Sequence, residues 1–290
     1  TGVSMRIKSG YNFISSDFES NQLAMKSLDT EIKGLLKDRK LFKFMSKQDK
    51  LMALCALKSW EQAKIEEDQD LSRVGIYLCV GILPFDEAPL EKLCVKSITD
   101  NKFDIKVFSD LAYNSMNPLL TFKCLPNMAL FHTSYNLGVT GRYFMTYSGV
   151  SDWVQCLQKG IKDLEDGIID YAIVGSACDQ DNFLVRQFYQ RLGHDLNKDP
   201  IDSASVMILR RDDLGLQIKD VIESYRPVDI GNKISEIQGK TLELPLGCSQ
   251  ISLEIVTKLE SAKENHCETI DHHTDFGTSI SIELGGAQHE

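Results

Sequence analysis

The chain has 290 residues, 42% of them hydrophobic and 26% charged, and its formal net charge is −10. This length and composition predict one globular unit, or two fused halves, with a sizeable core. An acidic balance with only scattered basic runs, such as Lys37–Lys50, argues against a nucleic-acid-binding surface. No apolar run approaches the roughly 20 residues that a membrane span needs, so we expect no membrane partner.

The N-terminus and the cysteines indicate a cytoplasmic protein. The chain opens without a signal-peptide pattern, and Thr1–Ser4 ahead of Met5 look like a cloning remnant, so Met5 is the expected native start. The eight cysteines form no CxxC pair and lie mostly within apolar periodic segments. This usage predicts reduced, buried thiols in a cytoplasmic protein.

The first half of the chain alternates helical and extended patterns. Ser46 is predicted to cap a helix over Lys47–Lys64, whose apolar residues recur at helical spacing. Arg73–Leu83 is a dense apolar run with β-branched residues and predicts a buried strand. Asn117–Pro126 has a proline near each end and predicts an irregular apolar loop, which a helix over Asn127–Leu137 follows.

A strand, a tight turn and a helix are predicted in the middle of the chain. Tyr143–Tyr147 is rich in β-formers and runs into the small residues Ser148 and Gly149. Beyond the turn, apolar residues recur at steps of three and four and form one helical stripe: Val154, Leu157, Ile161 and Leu164. A second strand over Tyr171–Ser176 follows this helix.

The rest of the chain continues the alternation. Two strands, Ser205–Arg210 and Leu216–Ser224, are predicted to form a hairpin through a turn at Asp212–Gly215. The other predicted elements are helices over Asp181–Leu192 and Leu253–Lys263 and a final strand over Ser279–Leu284. Alternating strands and helices indicate an α/β fold.

Six segments, in order, resemble the β-ketoacyl synthases, the condensing enzymes of fatty-acid and polyketide assembly. Five match by pattern: Arg39–Trp60, Arg73–Ile82, Asn117–Tyr143, Gly239–Val256 and His272–Ile282. The sixth matches by spacing, because Val150 stands as far before Gly167 and Asp170 as the family's active cysteine stands before its G-x-x-D-x-A-I-x-G element. The resemblance implies a thiolase-like α/β fold, layered α-β-α-β-α, with an N-terminal half over residues 5–213 and an abbreviated C-terminal half over residues 214–290.

The departures from the family pattern fall on its catalytic positions. Val150 replaces the nucleophilic cysteine, and valine has no lone pair with which to attack. Cys248 stands where one catalytic histidine is expected, and no histidine lies between His194 and His266 to supply the other. Lys240 lies near the position of the family's lysine. The resemblance therefore implies a chain that catalyses nothing alone and needs no cofactor.

A ketosynthase-like chain without this chemistry resembles the chain length factor of type II polyketide synthases. The resemblance implies a heterodimer with an active ketosynthase, visited by an acyl carrier protein, that sets chain length in aromatic polyketide, anthraquinone or aryl polyene synthesis. The implied dimer interface is the strand formed by Tyr143, Phe144, Met145, Thr146, Tyr147 and Ser148. The implied tunnel residues are Leu119, Leu120, Phe122 and Phe131, followed by Phe108 and Leu111. Each of these is alternatively an ordinary core residue.

Other interpretations of the residues remain open. A degenerate partner of a condensing enzyme in alkylquinolone-type synthesis would share these features. A stand-alone acyltransferase would use Ser148 or Ser151 as nucleophile and His272 or His273 as base, although the turn lacks the G-x-S-x-G spacing. A homodimer that binds acyl groups without turnover is a further alternative.

A metal site is the weakest alternative. His272 and His273 stand beside Asp271 and Asp275, and all four are residue types that bind metals. Adjacent side chains of an extended chain point to opposite faces, however, and the sequence offers no further ligands at suitable spacing. We therefore expect no metal.

Overall fold

The computed structural model of the chain describes residues 5–83, 87–191, 201–212, 215–228, 247–261, 267–274 and 277–288. Thr1–Ser4, Lys240 and Asp275 lie outside these residues. The strands are β1 (Met5–Ile14), β2 (Val74–Val80), β3 (Ile98–Thr99), β4 (Lys102–Phe103), β5 (Tyr143–Tyr147), β6 (Tyr171–Cys178), β7 (Ser203–Arg211), β8 (Gly215–Tyr225), β9 (Glu268–His273) and β10 (Thr278–Gln288). The α-helices are α1 (Asn21–Leu35), α2 (Lys47–Ala63), α3 (Glu87–Lys96), α4 (Ile105–Val107), α5 (Pro118–Lys123), α6 (Met128–Leu137), α7 (Val150–Glu165), α8 (Phe183–Arg191) and α9 (Gln250–Ser261).

Eight strands form one mixed sheet in the order β5-β2-β6-β7-β1-β8-β10-β9. β2 pairs in parallel with both β5 and β6, whereas every other pairing in this sheet is antiparallel. Among the described strands, β5 and β9 are therefore the two edges of the sheet, and β1 lies near its middle.

The sheet contains a partial internal repeat. β1, β7 and β6 are consecutive antiparallel neighbours, and so are β8, β10 and β9, with the β1–β8 pair between the two sets. α7 precedes β6 in the first set, and α9 precedes β9 in the second. The first set continues outward into β2 and β5, but among the described residues no strand pairs with the outer edge of β9. This arrangement agrees with an abbreviated second half, while the boundary between residues 213 and 214 stays a prediction.

Two apolar cores lie on the two faces of the sheet. One is built on α1, α2 and α6, with Leu28, Leu54 and Ala129 as buried members. In the other core, Trp153 of α7 packs with β10 residues such as Ile282. Strands of the second set therefore contact the same helical layer as strands of the first set. The described residues thus form one continuous sheet with helices on both faces, and α7 and α9 share a core with strands of both sets. This agrees with the thiolase-like α/β fold that the sequence predicted, without an outer helical layer over the second half in the described part of the chain.

The strongest local predictions are confirmed. α2 begins at the predicted cap, where the Ser46 hydroxyl accepts from the Asp49 N–H at 3.2 Å and the Asp49 carboxylate accepts from the Ser46 N–H at 2.7 Å. β2 is buried along its whole length, as a central parallel strand must be. β5 and α7 also form as predicted, with the turn between them.

Two local predictions are wrong. The segment Asn117–Pro126 is not an irregular loop, because α5 forms within it: Pro118 occupies the first helical turn and the Asn117 side chain accepts from the Leu119 N–H at 3.0 Å. β7 and β8 are not a hairpin, because β1 lies between them and pairs with both. β1, α1 and β9 were not predicted at all.

Candidate functional site

The turn between β5 and α7 keeps a constrained geometry. Ser148 has φ of +80°, a left-handed conformation that is uncommon for a residue with a side chain. Its N–H donates to the carbonyl of Val80 at 2.8 Å, which holds the turn against the end of β2. Gly149 is the N-cap of α7, so the helix begins at Val150.

Side chains of the turn and helix fix this geometry further. The Asp152 carboxylate accepts from the Gly149 N–H at 2.9 Å, which satisfies a donor at the start of the helix. The Thr146 hydroxyl donates to the carbonyl of Asp152 at 2.8 Å and lies 3.0 Å from the sulfur of Cys156. The turn is therefore a built element that presents the first helical residue at the edge of the sheet.

The residue at that position is an aliphatic one. Val150 is half-buried and packs against the core that α7 shares with the sheet. Nucleophilic catalysis needs a lone pair on a hydroxyl, thiol, amine or carboxylate, and valine offers none. The first residue of α7 therefore supplies no nucleophile at this turn.

The neighbouring serines have no histidine partner in the described residues. Ser148 and Ser151 are half-buried beside the turn, at the β5 edge of the sheet. His272 and His273 lie on β9 at the other edge, and His273 Nδ1 is 2.9 Å from the Ser279 hydroxyl. The structure does not join these groups in the hydrogen-bonded pair that a serine acyltransferase uses.

Cys248 lies in a short 3-10 turn, Gly247–Ser249, that leads into α9. Its sulfur is 3.2 Å from the sulfur of Cys178 and 3.6 Å from the carbonyl of Cys79. Burial, together with these contacts, raises the pKa of the Cys248 thiol well above its usual value. A thiol that stays protonated cannot take up a proton as a catalytic histidine does.

The predicted tunnel residues occupy different environments. Leu120 is buried, Leu119 and Phe108 are half-buried, and three of the six are exposed: Leu111, Phe122 and Phe131. Phe131 stacks on Tyr135 at 5.9 Å between ring centroids, and Phe122 meets Phe44 edge-on at 5.8 Å. For the exposed three, the alternative of an ordinary core residue does not hold. Their roles as tunnel residues stay predictions.

β5 is an edge strand with large side chains on it. Tyr143 is 72% exposed, and Tyr147 is exposed as well. Arg142 and Ser148 direct their backbone bonds to β2, so by alternation the N–H and C=O groups of residues 143, 145 and 147 point to the outer side. Among the described residues no strand pairs with these outward backbone groups. An edge strand with unpaired backbone groups is a template for pairing with a strand of another chain.

The described residues contain neither a metal-binding cluster nor a membrane-spanning helix. No group of three or more histidine, cysteine, aspartate or glutamate side chains there is arranged to hold a metal ion, and Asp275 of the proposed metal cluster lies outside them. No helix in the same ranges has both the length and the apolar character for crossing a membrane.

Solved structures share this fold over their whole length. The chain is similar to a chain in the complex of a type II PKS acyl-carrier protein with its ketosynthase bound to the hexaketide, with TM-score 0.68, 11% identity, and coverage of 98% of this chain and 99% of that one. It is similar to the ishigamide ketosynthase/chain length factor, with TM-score 0.66, 11% identity, and coverage of 98% and 100%. A β-ketoacyl synthase from Burkholderia phymatum STM815 gives TM-score 0.62 at 10% identity over 98% and 100%.

Comparison of the amino-acid sequence alone identifies no relative. No protein-family model matches it, and no curated protein matches it. The structural likeness at about 11% identity establishes that the chain has the thiolase-like fold of ketosynthase proteins. A shared fold does not carry an activity with it, so function has to be argued from the site.

Two features of the site could not be predicted from the sequence. The contact between Cys178 and Cys248 joins residues 70 positions apart and has no local signal. The left-handed Ser148 likewise has no signature, because such backbone positions usually carry glycine or asparagine.

Proposed function

We propose that this chain is a non-catalytic ketosynthase-like subunit, a chain length factor of a type II polyketide synthase. It pairs with an active ketosynthase in the cytoplasm, and an acyl carrier protein visits the complex. The growing chain is made on the partner's cysteine and extends into a tunnel at the interface of the two subunits. The product is an aromatic polyketide, an anthraquinone or an aryl polyene.

One observation carries this proposal: the turn before α7 is fully built, yet it presents Val150. A chain under no constraint would not be expected to keep a left-handed Ser148 and a capped helix start once the nucleophile is gone, since such backbone strain costs free energy. We infer that the turn is kept because it positions β5 and α7 for assembly.

The edge strand supports the choice of partner. β5 offers outward backbone groups flanked by exposed tyrosines, and tyrosine is enriched in the central contacts of protein interfaces. A partner of the same fold would present an equivalent edge strand. Pairing of two such strands would join the two sheets into one across a pseudo-twofold axis.

The exposed aromatic residues support the role in chain length. Phe131 on α6 and Phe122 on α5 are not held in the core. In a heterodimer such side chains would close the end of an apolar tunnel by simple exclusion, and smaller side chains would lengthen it.

The first experiment expresses this chain alone and together with a candidate ketosynthase partner, and weighs the purified species by native mass spectrometry. We expect a 1:1 heterodimer, and poor solubility of this chain when it is alone. A monodisperse homodimer that takes up a radiolabelled acyl group would overturn the proposal and direct attention to Ser148 and Ser151.

The second experiment tests the tunnel in the reconstituted complex. Phe131→Ala should shift the products toward longer chains, whereas Phe188→Ala should leave them unchanged. Phe188 is a matched control, because it is 45% exposed against 43% for Phe131 and lies on α8. Identical product lengths for both variants and the unchanged protein would exclude Phe131 from the tunnel, and a quinolone product would favour the alkylquinolone alternative.

A further inference from the structure

Two buried thiols meet between the end of β6 and the turn that precedes α9. Cys178 is the last residue of β6, and Cys248 lies in the turn that leads into α9. Their sulfur atoms are 3.2 Å apart, and a disulfide bond is about 2.05 Å long. Bond formation therefore needs an approach of only about 1.1 Å.

Glycines beside the two cysteines leave room for the sulfur atoms to approach closely. Gly247 has φ of +56°, and a Cβ there would come within 2.8 Å of the Cys178 sulfur. Gly81 on the other side leaves similarly little room, since a Cβ there would lie 3.2 Å from the same sulfur. Two glycines thus allow both neighbouring segments to close on Cys178.

The two thiols differ in their electrostatic surroundings. Burial works to raise the pKa of Cys178, but hydrogen bonds from Cys248 and from the Ser249 hydroxyl outweigh it and lower that pKa below its usual value. Burial raises the pKa of Cys248. Cys178 is therefore the sulfur that more readily becomes a thiolate, and Cys248 is the one that keeps its proton.

We propose that Cys178 and Cys248 form an oxidative modification site, at which a peroxide converts the two thiols into a disulfide. The Cys178 thiolate attacks one oxygen of hydrogen peroxide, the O–O bond breaks, and the departing hydroxide takes up the proton that the Cys178 thiol released, forming water. The Cys248 sulfur then attacks the Cys178 sulfenic acid, the S–O bond breaks, and a second water leaves with the Cys248 proton. Two thiols are oxidised by two electrons in total, and the peroxide is reduced to two waters.

Access of the peroxide to the two buried sulfurs limits the rate of this reaction. Both sulfurs are buried, so peroxide reaches them only when the structure around them opens locally. Cys94 and Cys267 are exposed and should oxidise first. They serve as internal evidence that the oxidant is active.

The bond would tie β6 to the start of α9 and close a loop of about 70 residues. Closing such a loop restricts the unfolded chain, so the oxidised protein should melt several degrees higher than the reduced protein. This consequence does not depend on the proposed function. It holds for the isolated chain and for the heterodimer, and its failure would leave the partner assignment untouched.

The test treats the unaltered protein with hydrogen peroxide for several hours, removes the peroxide with catalase, and blocks the remaining thiols with iodoacetamide under denaturing conditions. Peptide mass spectrometry without reductant should then find the peptides of Cys178 and Cys248 joined, with the loss of two hydrogens. Dithiothreitol should release them. A parallel melting curve should show the oxidised midpoint above the reduced one.

Two variants separate the site from general oxidation. Cys248→Ala should abolish both the joined peptide and the rise in melting midpoint, whereas Cys55→Ala, at a buried cysteine in the other core, should change neither. Full alkylation of both Cys178 and Cys248 after Cys94 and Cys267 have been oxidised would overturn the proposal. So would a disulfide that joins Cys178 to another cysteine.

Discussion

Replacing Tyr143 by alanine should weaken the proposed heterodimer through loss of buried surface. A tyrosine buries about 150–250 Å² when it is fully covered, so the 72% exposure of Tyr143 leaves roughly 140 Å² available to a partner. At about 25 cal/mol per Å² this area is worth at most ~3.5 kcal/mol. Part of the contact is recovered by relaxation, so we expect a loss of roughly 2–3 kcal/mol, or a ~30- to 150-fold rise in Kd.

The assay is a titration of purified ketosynthase partner against the variant chain, followed by calorimetry or native mass spectrometry. Tyr225→Ala is the matched control, because Tyr225 is 65% exposed but lies on β8 rather than on the edge strand. Surface substitutions of this kind change folding stability by about 0.5 kcal/mol or less, so unfolding curves of both variants should resemble that of the unaltered protein. Equal Kd values for the Tyr143 and Tyr225 variants would refute β5 as the pairing edge.

Three further perturbations test the site and its support. Tyr77→Phe removes a buried hydroxyl that donates to the Asp163 carboxylate at 2.7 Å, and should cost about 1.5–3 kcal/mol in urea unfolding; a change below ~0.5 kcal/mol would show that this bond does not matter. Val150→Cys should introduce a thiol that iodoacetamide labels but that releases no carbon dioxide from a malonyl carrier, and turnover there would contradict the proposed non-catalytic role. Burial raises the pKa of Asp49 to about 7 against the hydrogen bonds from Ser46. Because this folded-state pKa exceeds the unfolded value, its stabilising contribution is full below the unfolded pKa and is lost as pH rises through about 7. The free energy of unfolding should thus decline between about pH 4 and pH 7 and level off above that, and Asp49→Asn should flatten the decline.

Local patterns predicted several of the helices and strands. The Ser46 cap of α2 and the apolar stripe of α7 are short-range signals, because hydrogen bonds and packing within a helix join residues three or four apart. The seven consecutive buried residues of β2 were recognisable for a similar reason, since a strand covered on both faces has no polar side.

Pairing between distant strands was not predictable in the same way. β7 and β8 are adjacent in sequence and have the pattern of a hairpin, but β1 enters between them from the other end of the chain. The alternation of a strand specifies which face is buried and leaves its neighbours unspecified. The helix α5 was missed because two prolines were interpreted as breakers, although a proline in the first turn of a helix costs no hydrogen bond.

The amino-acid sequence by itself determined that the first residue after the predicted turn is Val150 and that Cys248 is a thiol, because the identity of a side chain decides its chemistry wherever it lies. Only the tertiary structure decided that β5 is an edge of the sheet formed by the described strands, that Phe122 and Phe131 are exposed, and that Cys178 meets Cys248. These properties depend on contacts between residues far apart in the chain. Such contacts arise from packing of the whole sheet against α7 and α9, and no local pattern encodes them.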